Sequence, residues 1–308
     1  MNSFLVGVIK MKKIGIFVII LVIAVFVVFY INNLFEGSNT PPSTTQDAEE
    51  EQQSSEEQSE TTEDEEDETI TEKISQSVTE VVDKTINFFV KDKLNVVAVG
   101  DSLTQGVGDS TDNGGYLGVL ENALENSTLD DYTISNYGKR GNRTDQLLKR
   151  LEEEPELSQS IRKADLILIT IGANDIMKIV KENFLSLSYD DFTVEQPKYQ
   201  KRLHDIFKKI RSENSEAHIF LIGLYNPFSQ YFEDIPELDK IINDYNFISR
   251  KVLGSYEPAT YIPVEDLFIN ANSNLFAEDN FHPNKEGYNQ IGERVIRYLE
   301  QAFEIEEN

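Results

Sequence analysis

Residues Val96-Val97-Ala98-Val99-Gly100-Asp101-Ser102-Leu103-Thr104 decide the fold. A β-branched apolar run that stops at Gly-Asp-Ser reads as a buried strand delivering a serine to the edge of a sheet. Downstream, apolar strands alternate with helical patterns, which implies a parallel sheet with helices on both faces. The predicted strands are 96–99, 133–136, 166–171, 219–224 and 260–263, and the predicted helices include 117–124, 145–151, 199–213, 236–253 and 285–303. In such sheets ligands bind outside the carboxyl ends of the strands, and three polar segments fall there.

The first is Gly100-Asp101-Ser102-Leu103-Thr104 itself. Leu103-Thr104 stands where a G-x-S-x-G nucleophile elbow needs x-G, and no Gly-Lys-Ser/Thr follows as a phosphate loop requires. Nearby, the run from Asp109 to Gly114 has a weak likeness to a calcium loop. Its third position is Thr111 and its twelfth is Leu120, where a bidentate Glu is needed, so calcium is discarded. The second segment, from Asn136 through Gly138, Gly141 and Asn142 to Thr144, lies between a strand and a helix. Its glycines are either ordinary turn residues or places where a backbone N–H approaches a ligand closely. The third is Ile171-Gly172-Ala173-Asn174-Asp175. Asn174 reads by default as a helix cap, and its amide could equally donate to a developing oxyanion.

A serine hydroxyl needs a base, commonly a histidine oriented by a carboxylate. The chain has three histidines. His204 falls on a polar amphipathic helix and is expected to be solvated, and His218 is expected to open a strand. His282 lies in Asp279-Asn280-Phe281-His282-Pro283, with a carboxylate three positions before it, on a segment too irregular for core. It is the candidate base.

Composition divides the chain. Residues 14–31 carry no charge and follow Lys10, Lys12 and Lys13. As a helix they would cover about 27 Å, close to the hydrocarbon thickness of a bilayer. They lack the small-residue cleavage site of a signal peptide, and the lysines predict a cytoplasmic N-terminus with the bulk of the chain outside. Residues 36–72 hold fifteen acids and no Lys or Arg, so −15 of the net charge of −27 lies there and −12 elsewhere. So few hydrophobes cannot offset chain entropy, and the segment reads as a disordered tether. The acidic balance disfavours a nucleic-acid partner. With no cysteine, a lipidated cysteine anchor and a disulfide framework are both excluded. Apolar residues from Ile70 to Phe89 recur at three- and four-residue spacing, which predicts an amphipathic helix over 71–90. The expected organisation is a cytoplasmic 1–13, an anchor at 14–31, a tether at 32–70, the helix within 71–93, and one domain over 94–303.

The order and placement of the blocks resemble the SGNH or GDSL hydrolase superfamily, over about 94–303, and most nearly its membrane-anchored lipase/acylhydrolase-like branch in Gram-positive bacteria. The resemblance implies a three-layer α/β/α flavodoxin-like sandwich with a mostly parallel five-stranded sheet. It implies Ser102 as nucleophile, His282 as base supported by Asp279, and an oxyanion hole from Ser102, Gly141 and the Asn174 side chain. No metal or organic cofactor is implied. The expected activity is hydrolysis of carboxylic esters, on lipid acyl chains or O-acylated glycans. Acyl transfer to an envelope glycan and a non-catalytic envelope-binding module are the alternatives. Tyr225 and Phe228, after the fourth strand, and Phe184, in a possible lid over 178–199, are expected either to line the substrate or to complete the core.

Overall fold

The computed structural model describes residues 93–304 apart from 112, 128–130, 184, 228–235 and 270–273. The expected anchor, tether and amphipathic helix lie outside the described residues. Among the described residues no helix is long and apolar enough to cross a membrane.

Five strands form one sheet: β1 (Leu94–Gly100), β2 (Tyr132–Gly138), β3 (Leu166–Thr170), β4 (His218–Ile222) and β5 (Ala259–Ile262). Their order is β2-β1-β3-β4-β5, and every pairing is parallel. Among the described residues the helices are α1 (Ser102–Gln105), α2 (Tyr116–Glu125), α3 (Thr144–Glu153), α4 (Pro155–Lys163), α5 (Ala173–Glu182), α6 (Tyr189–Glu213), α7 (Pro236–Leu253), α8 (Glu265–Phe268) and α9 (Lys285–Glu304).

A strand has a side-chain period of two, so an apolar run with no alternation supplies both faces of a sheet. Val96, Ala98, Leu168, Phe220 and Ile222 pack with Leu117 and Leu120 of α2 and with Tyr288, Ile291 and Val295 of α9. The intervening Val97, Val99, Ile167, Ile169, Ile219 and Leu221 pack with Leu147 of α3, Leu157 of α4, Leu203 and Phe207 of α6, and Tyr245 of α7. The result is the expected three-layer α/β/α sandwich, with a sheet that is parallel throughout.

All five predicted strands are present, with ends shifted by one or two residues. Four of the described helices are not among those predicted, and two of them, α1 and α8, are only four residues long. α4 starts with Pro155 in its first turn, where proline's fixed φ suits a helix and its missing N–H costs nothing. α5 starts after Gly172, at φ 124°, and presents only ten residues of pattern. α6 begins at Tyr189 rather than at 199, because Ser188 and Asp191 cap it: the Ser188 N–H and hydroxyl both donate to Asp191 Oδ2, at 2.7 and 2.9 Å. The described part of the expected lid is therefore the end of α5, the linker that holds Leu185 at 80% exposure, and the start of α6, where Phe192 is in the core at 3% exposure.

His204 is not solvated as expected. It is half-buried, with Nδ1 3.1 Å from the Tyr256 hydroxyl. His218 does open β4. It is buried, its Nε2 lies 2.9 Å from Thr260 Oγ1, and its ring stacks on Phe220 at 4.3 Å. Burial, reinforced by the nearby Arg211 charge, pushes its pKa down from 6.5 to about 4. The unfolded chain therefore takes up this proton first on acidification. Stability held by the neutral ring is present above pH 6.5 and is lost as the pH falls towards about 4. His218→Gln removes that titration. Thermal midpoints measured from about pH 7 to about pH 4.5 should fall more steeply for wild type than for the variant. Parallel curves would contradict the assignment.

Candidate active site

The register of three strands brings the polar segments together. Gly100 pairs with Gly138 on one side and with Thr170 on the other, so β1, β2 and β3 end level. Ser102, Gly141 and Asn174 follow those ends by two to four residues. The reversal of strand order about β1 opens a crevice at that edge, which is where ligands bind in doubly wound sheets.

Ser102 is the first residue of α1 and is 7% exposed. Asp101 caps that helix: its Oδ1 accepts from Leu103 N at 3.1 Å and from Thr170 Oγ1 at 2.8 Å. Asp101 is almost wholly buried, and burial raises its carboxyl to about 6 against the lowering effect of these donors and of His282.

His282 arrives from the opposite end of the domain, 180 residues away in sequence, and its Nε2 lies 2.9 Å from Ser102 Oγ. Its Nδ1 lies 2.5 Å from Asp279 Oδ2. Asp279 Oδ1 accepts the backbone N–H groups of Phe281 and His282 at 3.0 and 2.9 Å, so the carboxylate organises the turn that carries its own histidine. Asn280 takes a positive φ of 52° inside that turn, a conformation asparagine tolerates. Burial pushes the Asp279 carboxyl up, but the hydrogen bond and charge of His282 and the two N–H groups outweigh it, and the pKa falls below its ordinary value. Asp279 stays ionised at neutral pH, which suits a partner for an imidazolium.

The turn is anchored on both sides by core residues. Leu275 and Phe276 are buried, and Phe276 bridges to Pro283. The segment was expected to be too irregular for core; its irregular part is only the six-residue turn between these anchors. Gly108 comes so close that a β-carbon there would sit 2.5 Å from the Pro283 carbonyl and 2.9 Å from His282 Cβ. Tyr225 is half-buried, stacks on Phe268 at 4.1 Å and donates its hydroxyl to the Phe281 carbonyl at 3.0 Å. It braces the histidine turn, which accords with the core-completing alternative. Phe184 and Phe228 lie outside the described residues.

Gly141 has φ +78°, a conformation that disfavours other residues, and open space where a β-carbon would be. Among the described residues, neither the Gly141 N–H nor the Ser102 N–H has a hydrogen-bond partner. Asn174 is not the cap of α5: Gly172 holds that position, and Asn174 is the second helical residue. Its Nδ2 donates to the Asn142 carbonyl at 3.1 Å, which joins the Gly141 loop to the start of α5. The supporting residues Thr170, Thr104 and Arg202 were missed, since single Thr and Arg residues inside a strand and helices carry no pattern. Among the described residues no group of three or more His, Cys, Asp or Glu is placed to hold a metal ion.

Comparison with known proteins finds several matches. Residues 98–290 match the family model described as GDSL-like Lipase/Acylhydrolase family. An uncharacterized protein of Bacillus subtilis, YpmR, is 36% identical over 214 residues, covering 68% of this chain and 83% of its own length. The spore germination lipase LipC of Bacillus licheniformis is 28% identical over 209 residues, covering 66% of this chain and 94% of its own. Among solved structures, the lipase Lip_vut3 from a goat rumen metagenome superposes with a TM-score of 0.58 at 26% identity, covering 67% of this chain and 97% of that one.

A serine paired to a histidine in this way is chemically able to attack an electrophile, and it should be the residue modified by an organofluorophosphonate. Mass mapping of the labelled protein should place the adduct on Ser102, and His282→Ala should slow labelling by orders of magnitude. A label elsewhere, or an undiminished rate in that variant, would contradict the pairing.

Proposed function

The chain belongs to the GDSL-like lipase/acylhydrolase family, and on that premise we propose that it cleaves carboxylic esters through Ser102, His282 and Asp279 in two acyl-transfer steps. It is a carboxylic ester hydrolase. The observation that carries the mechanism is the continuous chain from Asp279 Oδ2 through the His282 ring to Ser102 Oγ, at 2.5 and 2.9 Å.

In the first step Ser102 Oγ attacks the ester carbonyl carbon while His282 Nε2 takes its proton. Asp279 keeps the other ring nitrogen protonated and stabilises the imidazolium that forms. Negative charge develops on the former carbonyl oxygen, and the Ser102 N–H, the Gly141 N–H and the Asn174 amide are the donors for it. Preorganised donors stabilise the transition state because they need no reorientation as charge appears. His282 then protonates the leaving alcohol. In the second step a water attacks the acyl-enzyme with His282 again as base, releasing the acid and restoring Ser102.

The substrate reading is an ester of a lipid or an O-acylated glycan outside the membrane. An uncharged run at 14–31, preceded by three lysines, supports an anchor with the catalytic domain extracytoplasmic. The name of the B. licheniformis relative, a spore germination lipase, supports a lipid ester.

The test is turnover of p-nitrophenyl acetate, butyrate and a long-chain ester by the full chain in mild detergent. Ser102→Ala and His282→Ala should each lose on the order of 10³-fold or more in kcat, and Asn174→Ala about 10²–10³-fold. Preference for the long chain would favour lipid, and acetate-only turnover an O-acetyl group. Activity that survives Ser102→Ala would overturn the mechanism.

A further inference from the structure

The two loops that carry Gly141 and Asn174 are tied together beneath the site by side chains with no part in the chemistry above. Asp175 directly follows Asn174, and Thr144 lies three residues after Gly141. Both are buried, Asp175 at 5% and Thr144 at 0% exposure. The Thr144 N–H donates to Asp175 Oδ2 at 2.9 Å, and the Thr144 hydroxyl donates to Asp175 Oδ1 at 2.5 Å. Arg202, from the middle of α6, donates through Nε to Thr144 Oγ1 at 2.6 Å and through Nη2 to Asp175 Oδ1 at 3.1 Å.

These bonds leave little freedom. A threonine hydroxyl has one hydrogen. Arg202 Nε can only donate, so Thr144 must accept from it and spend its single hydrogen on Asp175. Asp175 in turn receives three donors, from two elements. Its carboxylate also lies at the start of α3, where the first N–H groups have no partner within the helix, and so caps that helix from another segment. Arg143, the residue at the cap position, instead turns its guanidinium to Asp145 in the solvent.

We propose that Arg202, Asp175 and Thr144 form a clamp of positioning residues that sets the separation of the Gly141 N–H from the Asn174 amide, and thereby the geometry of the oxyanion hole. The proposal rests on the reading of those two groups as oxyanion donors. A hydrogen-bond donor stabilises the developing charge only within a narrow distance range, and a displacement of about 1 Å is enough to cost about 10²-fold in rate. α6 thus acts on the reaction from outside the site, through Arg202. The side chain of Arg202 is 25% exposed, against 5% for Asp175, so Arg202 is the member whose replacement disturbs the interior least.

A role confined to stability would lower the melting temperature and leave the properties of the folded enzyme alone. A positioning role separates kcat from KM, because the ground-state ester makes little use of the oxyanion donors. The experiment compares Arg202→Met, Arg202→Lys, Asp175→Asn, Thr144→Val and Thr144→Ser in the full chain. It measures kcat and KM on p-nitrophenyl butyrate and the inhibition constant of a boronic acid that forms a tetrahedral adduct on Ser102. Arg202→Met, Asp175→Asn and Thr144→Val should each lose about 10- to 100-fold in kcat, with KM within about twofold. Boronic acid affinity should fall in step with kcat. Thr144→Ser keeps the hydroxyl and should stay within about threefold of wild type, with Arg202→Lys intermediate. If Asp175→Asn does not fold, the two Arg202 variants decide the matter.

Wild-type kcat in folded Arg202→Met and Thr144→Val, alongside loss of activity in Ser102→Ala, would overturn the clamp and leave the esterase mechanism standing. Activity that survives Ser102→Ala would remove the mechanism, and with it the oxyanion that the clamp is proposed to serve.

Discussion

The site depends on how closely β1 approaches β3. A β-carbon at Gly100 would lie 2.1 Å from the Thr170 carbonyl oxygen and 2.6 Å from Thr170 Oγ1, so no side chain fits there without separating the two strands. This contact falls where the order of the sheet reverses, and it fixes where the chain leaves β1. Asp101 N then donates to the Thr170 carbonyl at 3.2 Å, and Ser102 emerges at the lip of the sheet. β2 is fitted as tightly: a β-carbon at Gly138 would lie 2.2 Å from Gln105 N in the first turn after the serine. The level ends of three strands, on which the site rests, follow from two positions that admit only glycine.

Around this contact runs a chain of hydroxyls with a single consistent direction. With Asp101 ionised, Thr170 Oγ1 donates to it and so must accept from Thr104 Oγ1, 2.7 Å away. Thr104 Oγ1 in turn accepts from the Tyr116 hydroxyl at 3.0 Å. The chain joins α2, the turn bearing the nucleophile and β3 through the interior. It also explains how a carboxylate can occupy a buried site: each buried donor in the chain has its acceptor, which lowers the penalty that an unpaired polar group would carry.

Strands were legible because their apolar runs are unbroken, and period-two packing on both faces leaves no other reading for Leu166 to Thr170. The three loop segments were legible as short clusters of Gly, Asn, Asp and Ser at strand ends. What was not legible depends on pairing across the chain. Nothing local marks Arg202, because one arginine on an amphipathic helix looks like any solvated charge; its meaning comes from Thr144 and Asp175, brought beneath it by the packing of α3 and α6. Tyr225 was ambiguous for the same reason. An aromatic after a strand can face a ligand or a loop, and the contact of its hydroxyl with the Phe281 carbonyl, which shows that it braces the histidine turn, is made only in the folded chain. His204 was read as solvated because the helix around it is polar, while Tyr256, the group that covers it, follows α7.

Three aspartates near the site show how one side chain is put to three uses by its surroundings. Asp101 and Asp175 both have raised pKa values, because burial outweighs the donors that each collects. Asp101 is held by a hydroxyl and a backbone N–H, and Asp175 by a hydroxyl, a backbone N–H and the Arg202 guanidinium; the work of both is to fix positions. Asp279 is buried too, yet its pKa is lowered, because its nearest partner is a ring that can itself become charged. A carboxylate beside an imidazole gains most when that imidazole takes a proton, which happens when a serine is deprotonated against it. Asp101, raised only to about 6, is still ionised at neutral pH, and its charge is met by the Leu103 N–H, the Thr170 hydroxyl and the nearby His282. The two environments thus divide the work: one carboxylate answers the charge that catalysis creates, and the other holds the turn that carries the nucleophile.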